Sequence, residues 1–344
     1  MKNVRPLVID PVGDPRWMTL MQARDASVFH HPAWLVNLRD TYSYDIWASC
    51  LADPGGRLLA GLPVATIRSR ITGDRLVSVP FSDVCEPVTD GDDSLLEPLA
   101  RALESERRRL GLGLEVHGSF PGLVPASRGD SFLHHVLDLR SGWDAVWNSM
   151  HRSKRKAVRK ATRLEVSLAR RTDPGALDIF YAMHVKTRHK HGAPTQPKRF
   201  IKRLSRMFVD GLGFVLVATH EGEPIAANVF LSFNGVMTAK YNASDERKLD
   251  LRANQLMHVE AFRLACEANC HSFDFGRTEL DNQGLQTFKE GLGAAGRPLS
   301  YTMVPGGPTS SSVRTVSKLQ RATIRRAPPL FGRVLGAAVY RHFG

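Results

Sequence analysis

The chain has 344 residues, 42% of them hydrophobic and 24% charged, which is the composition of a folded globular protein with room for two domains. No run of about 18 apolar residues occurs, and the stretch from Met1 to Pro15 lacks the apolar segment of a signal peptide, so we expect neither a membrane-spanning nor an exported chain. The 47 lysines and arginines outnumber the 34 aspartates and glutamates. The resulting net charge of +13 favours polyanionic partners such as nucleic acid, anionic lipid or nucleotide-linked substrates.

The first half of the chain alternates strand-like and helix-like segments. Its predicted helix has leucines at helical spacing, with acidic residues first and arginines last, which suits the helix dipole. The predicted elements are strands at Asp45–Ala52, Leu58–Ile67, Leu76–Val79, Leu114–His117 and Phe132–Asp138, and a helix at Asp92–Leu110.

The second half, from Trp143, shows a similar mixture. It opens with a helix that starts at Asp144 and becomes strongly basic. The elements predicted after it are helices at Asp173–His191, Gln196–Asp210 and Ala253–Asn269, and strands at Glu165–Ala169, Gly213–His220, Pro224–Phe233, Val236–Tyr241 and Cys270–Phe275. The shared order predicts an α/β fold with mixed sheets and a structural duplication, with domains at 1–142 and 143–305 and a basic helical tail at 306–344. We expect the tail either to lie on an anionic membrane surface or to pack on the second domain.

The four cysteines, Cys50, Cys85, Cys266 and Cys270, are too few and too scattered for a disulfide framework. Cys266 and Cys270 lie four residues apart on the last predicted helix, but no second pair of cysteines or histidines completes a metal site. We therefore expect no metal, and interior thiols in a reducing, cytoplasmic setting.

A run of bases at 152–163 is the first candidate for a binding surface. It holds seven lysines and arginines without an acidic residue, and helical spacing puts Arg152, Arg155, Arg159 and Arg163 on one face. Such a stripe suits phosphate groups, although charge runs are often only solvated helix faces. The predicted polyanion-binding residues are Arg152, Arg155, Lys156, Arg159 and Lys160.

The segment from Phe273 to Gly293 is the second candidate. A strand that ends at Gly276 places polar groups at the carboxyl edge of a sheet, where α/β proteins bind ligands. Lys289 offers a positive charge to a developing oxyanion, and Phe288 lowers the dielectric beside it. No Ser/His/Asp or Cys/His arrangement is evident, and the neighbours His134 and His135 point to opposite faces of a strand, so no ready acid–base pair is expected there.

This segment resembles the closing motif of the FemAB-like transferases. The matching stretches are Phe-Asp-Phe-Gly-Arg-Thr at 273–278, Gly-Leu-Gln-Thr-Phe-Lys-Glu-Gly-Leu-Gly at 284–293 and Arg-Pro-Leu-Ser-Tyr at 297–301. Further matches occur in the same order at 31–35, 68–70, 76–83, 240–244 and 254–256, so that the resemblance extends over about residues 29 to 305. This family includes the peptidoglycan-bridge aminoacyltransferases and the FemAB-related and CelD-like proteins.

The resemblance implies two tandem GNAT-like domains and acyl transfer to an amine. It implies catalytic roles for Lys289 and Phe288, and substrate contacts at Tyr241 and Arg188. Arg277, Asp274, Ser82 and Asp83 lie in matching motifs and are further candidates for substrate binding, with Asp274 and Asp83 also candidate proton acceptors. In the bridge-forming members the donor is aminoacyl-tRNA and the acceptor is a cell-wall precursor.

Two departures from the family pattern leave the donor open. Leu292 stands where the family often has tryptophan, and no coiled-coil arm of the tRNA-binding members is present. The hypotheses are therefore an aminoacyl-tRNA-dependent transferase, a CoA-dependent N-acyltransferase acting on an amino sugar or peptide, and a non-enzymatic nucleic-acid-binding protein. The stretch 247–254, at the place of a CoA pyrophosphate loop, contains no glycine, which disfavours CoA. No tightly bound cofactor is expected, and a lipid-linked amine acceptor with peripheral membrane contact is one possibility for the partner.

Overall fold

The computed structural model describes residues 3–22, 26–123, 127–306, 332–333, 335–336 and 339–342, with the side chains of 127–130 left aside. The fold class predicted from the sequence, α/β with mixed sheets, is confirmed. The described residues form two compact units. Of the described residues, unit 1 comprises 3–22, 26–123, 127–132, 299–306 and 339–342, and unit 2 comprises 133–298, 332–333 and 335–336. Most of the predicted tail lies outside the described residues.

Unit 1 is built on antiparallel strands followed by a helix and a parallel strand. Its sheet has the order β1-β2-β3-β4-β6-β13, with β5 paired to β3, and β4 and β6 are the parallel pair. The elements are β1 (Arg5–Ile9), α1 (Pro15–Leu20), α2 (Pro32–Tyr42), β2 (Asp45–Ala52), β3 (Leu58–Ile67), β4 (Arg75–Val77), β5 (Val88–Thr89), α3 (Leu96–Leu110), β6 (Gly113–Val116) and, late in the chain, β13 (Ala295–Val304).

Unit 2 repeats this order of strands and helices. Four antiparallel strands are followed by a helix and a strand parallel to the fourth, in the sheet order β7-β12-β11-β10-β9-β8. The elements are β7 (Ser127–Asp138), α4 (Gly142–Ser149), α5 (Arg152–Arg163), β8 (Ser167–Arg171), α6 (Pro174–Lys190), α7 (Lys198–Val209), β9 (Gly213–His220), β10 (Glu223–Phe233), β11 (Val236–Ser244), α8 (Ala253–Glu267), β12 (Ser272–Glu279) and α9 (Gln283–Gly291).

The division of units differs from the domain bounds drawn on the sequence. It falls at 132/133 and 298/299, inside β7 and β13, rather than at 142/143 and 305/306. A long strand can serve two cores, and its sequence pattern does not change where the core changes.

The core of unit 2 is an aromatic cluster between the sheet and α8. Phe262 and Phe273 meet edge to face with ring centroids 4.7 Å apart, and Phe273 lies 4.9 Å from Phe275. Phe230 and Phe262 are fully buried. Apolar residues at alternate positions of β12 therefore place one face of this strand under α8, which fixes where its polar residues must lie.

Two local expectations were wrong. The basic run does not continue the helix from Asp144, because Met150 is extended and His151 starts a separate helix as its N-cap. Residues 283–291, for which no helix was predicted, form α9, which Asn282 caps by accepting a hydrogen bond from the backbone N–H of Leu285. The helices in the described part of the chain are too short or too polar to cross a membrane.

Candidate functional site

The parallel strands β11 and β12 of unit 2 part from each other after a short pairing. Their register covers only Val236–Thr238 against Ser272–Asp274. Each strand is deformed beyond this point: β11 carries an extra residue, Lys240, against β10, and Gly276 of β12 has a φ of +67° that favours glycine. The parting exposes backbone groups of both strands that a regular ladder would use, and such an opening can receive a ligand.

Asp274 is the last residue of β12 that pairs with β11, and its carboxylate binds a histidine. Its Oδ1 accepts hydrogen bonds from His134 Nε2, at 2.8 Å, and from the backbone N–H of Gly276, at 2.6 Å. Because Nε2 carries the proton that it donates to the carboxylate, the lone pair of the neutral ring is on Nδ1. Asp274 and His134 are 140 positions apart, so this acid–base pair was not predicted from the sequence. His135 points away from it, to the Thr278 hydroxyl at 3.2 Å, as the alternation along a strand predicts.

Lys289 is buried on α9 and binds the strand directly after the parting. Its Nζ donates to the carbonyl oxygens of Phe275, Gly276 and Arg277 at 2.8, 3.0 and 3.2 Å. An ammonium group has three protons, so these bonds use its whole donor capacity and fix the end of β12. Direct contact of Lys289 with an oxyanion stays a prediction. It requires the ammonium to give up one of these three hydrogen bonds for one to the oxyanion. Arg277 takes part in this anchoring through its backbone carbonyl oxygen.

A small cationic cavity of about 190 Å³ lies at the N-terminus of α8. Helix N-termini attract anions, and no side chain of the described residues caps this one. Burial, and next the charge of Arg252, lower the pKa of Lys154, whose Nζ lies 4.9 Å from the centre of the Phe288 ring. The residues that line the cavity are Ile225, Ser244, Asp245, Lys248, Leu249, Arg252, Ala253, Asn254, Gln255 and Phe288.

Gly291 is what allows Lys154 to lie along α9. A Cβ at this position would stand 2.5 Å from Lys154 Cε. Phe288 also packs edge to face against His258, with ring centroids 5.3 Å apart. The two residues of the predicted Phe288–Lys289 pair therefore have different roles: Phe288 forms a wall of the cavity, and Lys289 anchors β12.

Tyr241 of β11 lies in a different polar environment, beside α6. Its hydroxyl accepts a hydrogen bond from Gln196 Nε2 at 3.1 Å, and its ring packs against Phe180 and His184. Burial, and next the charge of Arg188, lower the pKa of His184 to about 3, so this imidazole is neutral. Its two ring nitrogens have no hydrogen-bond partner among the described residues. The predicted residues Tyr241 and Arg188 are therefore both neighbours of His184. The sequence did not indicate His184 as a site residue.

The basic helix α5 presents a cationic stripe, but its composition differs from the expected one. The exposed bases are Arg152, Lys156, Arg159 and Arg163, whereas Lys160 is half-buried. Arg155 turns inward and donates to the carbonyl oxygen of Asn148 at 3.1 Å, so it closes the end of α4. None of the four exposed bases forms an ion pair with an acidic side chain in the part of the chain that the structure describes. The opposite side of α5 buries Val158 and Ala161 and packs on α8.

Ser82 and Asp83, the remaining predicted residues, lie in unit 1 on a strained loop. Val79 and Phe81 have φ values of +65° and +63°, which cost such side chains about 1–3 kcal/mol each. The Ser82 hydroxyl lies 2.8 Å from both the Val79 carbonyl oxygen and His117 Nδ1, and His117 Nε2 lies 3.2 Å from Glu115. The Asp83 carbonyl accepts from the Tyr301 hydroxyl at 2.8 Å. This network holds the loop in its strained conformation.

Residues 148–290, all within unit 2, match the model of the acetyltransferase (GNAT) domain. This part of the chain is a GNAT domain. The protein is accordingly an acyltransferase of GNAT type, and the non-enzymatic alternative is set aside. No curated protein matches the chain.

Solved structures of similar fold cover nearly the whole chain. FemX shares 12% identity with a TM-score of 0.65, over 86% of this chain and 96% of FemX. The C-terminal domain of a putative lysylphosphatidylglycerol synthetase from Agrobacterium fabrum shares 13% identity with a TM-score of 0.56, over 90% of this chain and 94% of that one. A tandem GNAT protein from the clavulanic acid biosynthesis pathway shares 13% identity with a TM-score of 0.52, over 89% of this chain and all of that one (100%). The predicted FemAB-like arrangement of tandem GNAT domains is confirmed at the level of the fold.

Proposed function

We propose that unit 2 binds an activated acyl donor at the N-terminus of α8 and transfers its acyl group to an amine beside the parted ends of β11 and β12. The observation that carries this proposal is the cavity at the uncapped N-terminus of α8, which Lys248 and Arg252 line and Phe288 walls, with Lys154 over the Phe288 ring. Phosphate is the group that such a cavity takes. Phe288 is followed in α9 by Lys289, which links the donor side to β12.

Aminoacyl-tRNA is the donor that we propose. Two features of the basic helix support it: the exposed bases Arg152, Lys156, Arg159 and Arg163 recur along one face, and the same helix packs on α8, whose first turn forms the cavity. A stripe of four cations exceeds what a single nucleotide needs but suits an RNA backbone. Charged tRNA is a cytoplasmic molecule, and we place the reaction there.

The acceptor that we propose is an amine of a cell-wall, peptide or envelope-polysaccharide precursor, free or lipid-linked. The FemAB-like resemblance and the likeness to FemX and to a putative lysylphosphatidylglycerol synthetase domain support an envelope role. Within unit 2, Tyr241 and Arg188 are the proposed contacts. His184 between them adds a neutral imidazole able to donate to one polar group and accept from another.

The proposed reaction is direct. The acceptor amine attacks the ester carbonyl of the donor, the bond to the ribose oxygen breaks, and that oxygen leaves with a proton. The amine must lose a proton, and His134 is the proposed base, with its tautomer set by Asp274. Asp274→Asn keeps the shape but removes the charge that steadies the imidazolium, so we expect turnover to fall about 10²–10⁴-fold with little change in substrate binding.

The decisive experiment compares charge reversals on two surfaces. One variant carries Arg152→Glu, Lys156→Glu and Arg159→Glu on the stripe, and the other carries Arg252→Glu in the cavity. Binding of charged tRNA and of acetyl-CoA is titrated at about 0.15 M salt, where non-specific RNA binding is reduced. The control is Arg101→Glu, Arg108→Glu and Arg109→Glu on α3, which matches the triple change in charge at an exposed face.

The outcome separates the two donors. With a tRNA donor, both variants lose affinity for charged tRNA and the α3 control keeps it. CoA is the alternative, since its pyrophosphate also fits the cavity at α8. With that donor, acetyl-CoA binds the wild type, Arg252→Glu abolishes this binding, and the stripe variant leaves it unchanged. Binding of neither donor, or equal effects in the α3 control, would contradict the proposal.

A further inference from the structure

Three residues near the C-terminus, Tyr340–His342, lie against unit 1, and their backbone carbonyls are received by its side chains. The Tyr44 hydroxyl donates to the carbonyl oxygen of Arg341 at 3.1 Å. The Thr72 hydroxyl donates to the carbonyl oxygen of His342 at 2.6 Å, and Arg75 donates to the same oxygen at 3.2 Å. Two successive peptide carbonyls are therefore bound by groups from the residue before β2, from β4 and from the loop before β4.

The groups that receive this segment also contact one another within unit 1. Arg75 is only 6% exposed, and its guanidinium also donates to the Thr72 hydroxyl at 2.8 Å, while that hydroxyl lies 3.0 Å from the Ser69 hydroxyl. Asp74 accepts from the backbone N–H of Ser69 at 2.8 Å and so ties the loop at both ends. Burial of the Arg75 cation beside the Thr72 hydroxyl costs free energy unless both groups form hydrogen bonds. The pair therefore suits the binding of a carbonyl or carboxylate oxygen.

Side chains of the segment add specificity to this backbone recognition. The Tyr340 ring packs on Phe81 with centroids 5.5 Å apart, and Phe81 packs in turn on Tyr42, at 5.2 Å. His342 Nδ1 lies 3.0 Å from the Ser69 hydroxyl. Phe81 is one of the two strained residues of the Val79–Phe81 loop, and strain of this kind collects where a protein holds a ligand.

We propose that unit 1 contains a peptide-binding site, formed by Tyr44, Ser69, Thr72, Arg75 and Phe81, and that Tyr340–His342 is its intramolecular ligand. The site takes a short peptide with an aromatic side chain for Phe81, followed by two residues whose carbonyls face Tyr44 and the Thr72–Arg75 pair. A tethered segment competes at an effective concentration on the order of millimolar, so the full chain is closed to a dilute peptide in solution. This inference does not depend on the acyl donor or on the reaction of unit 2.

The test uses the chain's own segment as the probe. A hexapeptide with the sequence of residues 339–344, labelled with fluorescein at its N-terminus, is titrated by anisotropy with the full chain and with a variant that lacks 339–344. We expect the shortened chain to bind at least about tenfold more tightly than the full chain, because its site is vacant. Thr72→Val in the shortened chain should weaken binding about three- to tenfold by loss of the hydroxyl, and Thr162→Val on exposed α5 should not.

Two further measurements keep the result decisive. If the shortened chain melts early, Tyr340→Ala in the full chain serves instead, since it removes the aromatic anchor while the backbone is kept, and it should also open the site to the peptide. A scrambled hexapeptide measures binding that depends on charge alone. The proposal is overturned if neither opened variant binds the peptide, if the full chain binds it equally well, or if the scrambled peptide binds as tightly.

Discussion

Replacement of Lys289 by methionine is the sharpest test of the site, because two roles are in question. The structure indicates that Lys289 anchors β12, whereas the family resemblance implies that it acts in catalysis. Methionine keeps most of the apolar stem but leaves the carbonyl oxygens of Phe275, Gly276 and Arg277 without their charged donor. Hydrogen bonds to a charged group contribute about 1.5–3 kcal/mol each, and relief from burying the ammonium offsets several kcal/mol of the total. We therefore expect Lys289→Met to lose about 2–4 kcal/mol of the free energy of unfolding.

The assay measures unfolding in urea and turnover of the acyl transfer in parallel. Lys198→Met is the matched control, since Lys198 is half-exposed and its pairing with Asp178 should contribute less than about 1 kcal/mol. Turnover of Lys289→Met should fall by roughly 10²-fold or more whether the ammonium positions β12 or contacts the oxyanion. An unfolding free energy within about 0.5 kcal/mol of the wild type would refute the anchoring role and leave only the direct catalytic one. Retained turnover would refute both.

Three other predictions follow from single observations. Gly291→Ala should push Lys154 away from Phe288 and raise the KM for the donor several-fold while the melting temperature stays nearly constant, because the contact it disturbs is the end of a flexible side chain. Phe273→Ala should cost unit 2 about 3–5 kcal/mol in urea unfolding, since Phe273 is fully buried between two other phenylalanines. Burial lowers the pKa of His184 to about 3 and that of His258 to about 4, below the ordinary value of 6.5. The unfolded state then binds more protons, so the stability that these two histidines contribute is complete above about pH 6.5 and is lost as the pH falls toward 4. His184→Gln should reduce this loss by about 1 kcal/mol per pH unit. Urea unfolding at a series of pH values measures the difference.

Much of the fold could be predicted from local pattern. The strands Asp45–Ala52, Leu58–Ile67 and Gly213–His220 have the bounds that were predicted, because their apolar runs end at clear turn residues. The helix α9 was missed since Gly284 and Gly291 weaken its intrinsic helix propensity, while its cap at Asn282 and its packing through Lys289 stabilise it. The helical conformation of the basic run was predicted correctly, and its binding role stays a prediction. Lys156 rather than Arg155 lies on the exposed face, because Arg155 contacts α4, which spacing along the sequence does not show.

The sequence by itself determined the class of fold, the duplication, the basic helix and the segment Phe273–Gly293 as the place of interest, because composition, periodicity and motif order are properties of neighbours along the chain. Only the tertiary structure decided what these residues touch. It joined Asp274 to His134 across 140 positions, set Lys154 over the Phe288 ring that walls the cavity at α8, and gave the Lys289 ammonium three carbonyls as partners. Such partners depend on which strands pair and where the pairing stops, and long-range contacts of that kind leave no periodic trace in one sequence.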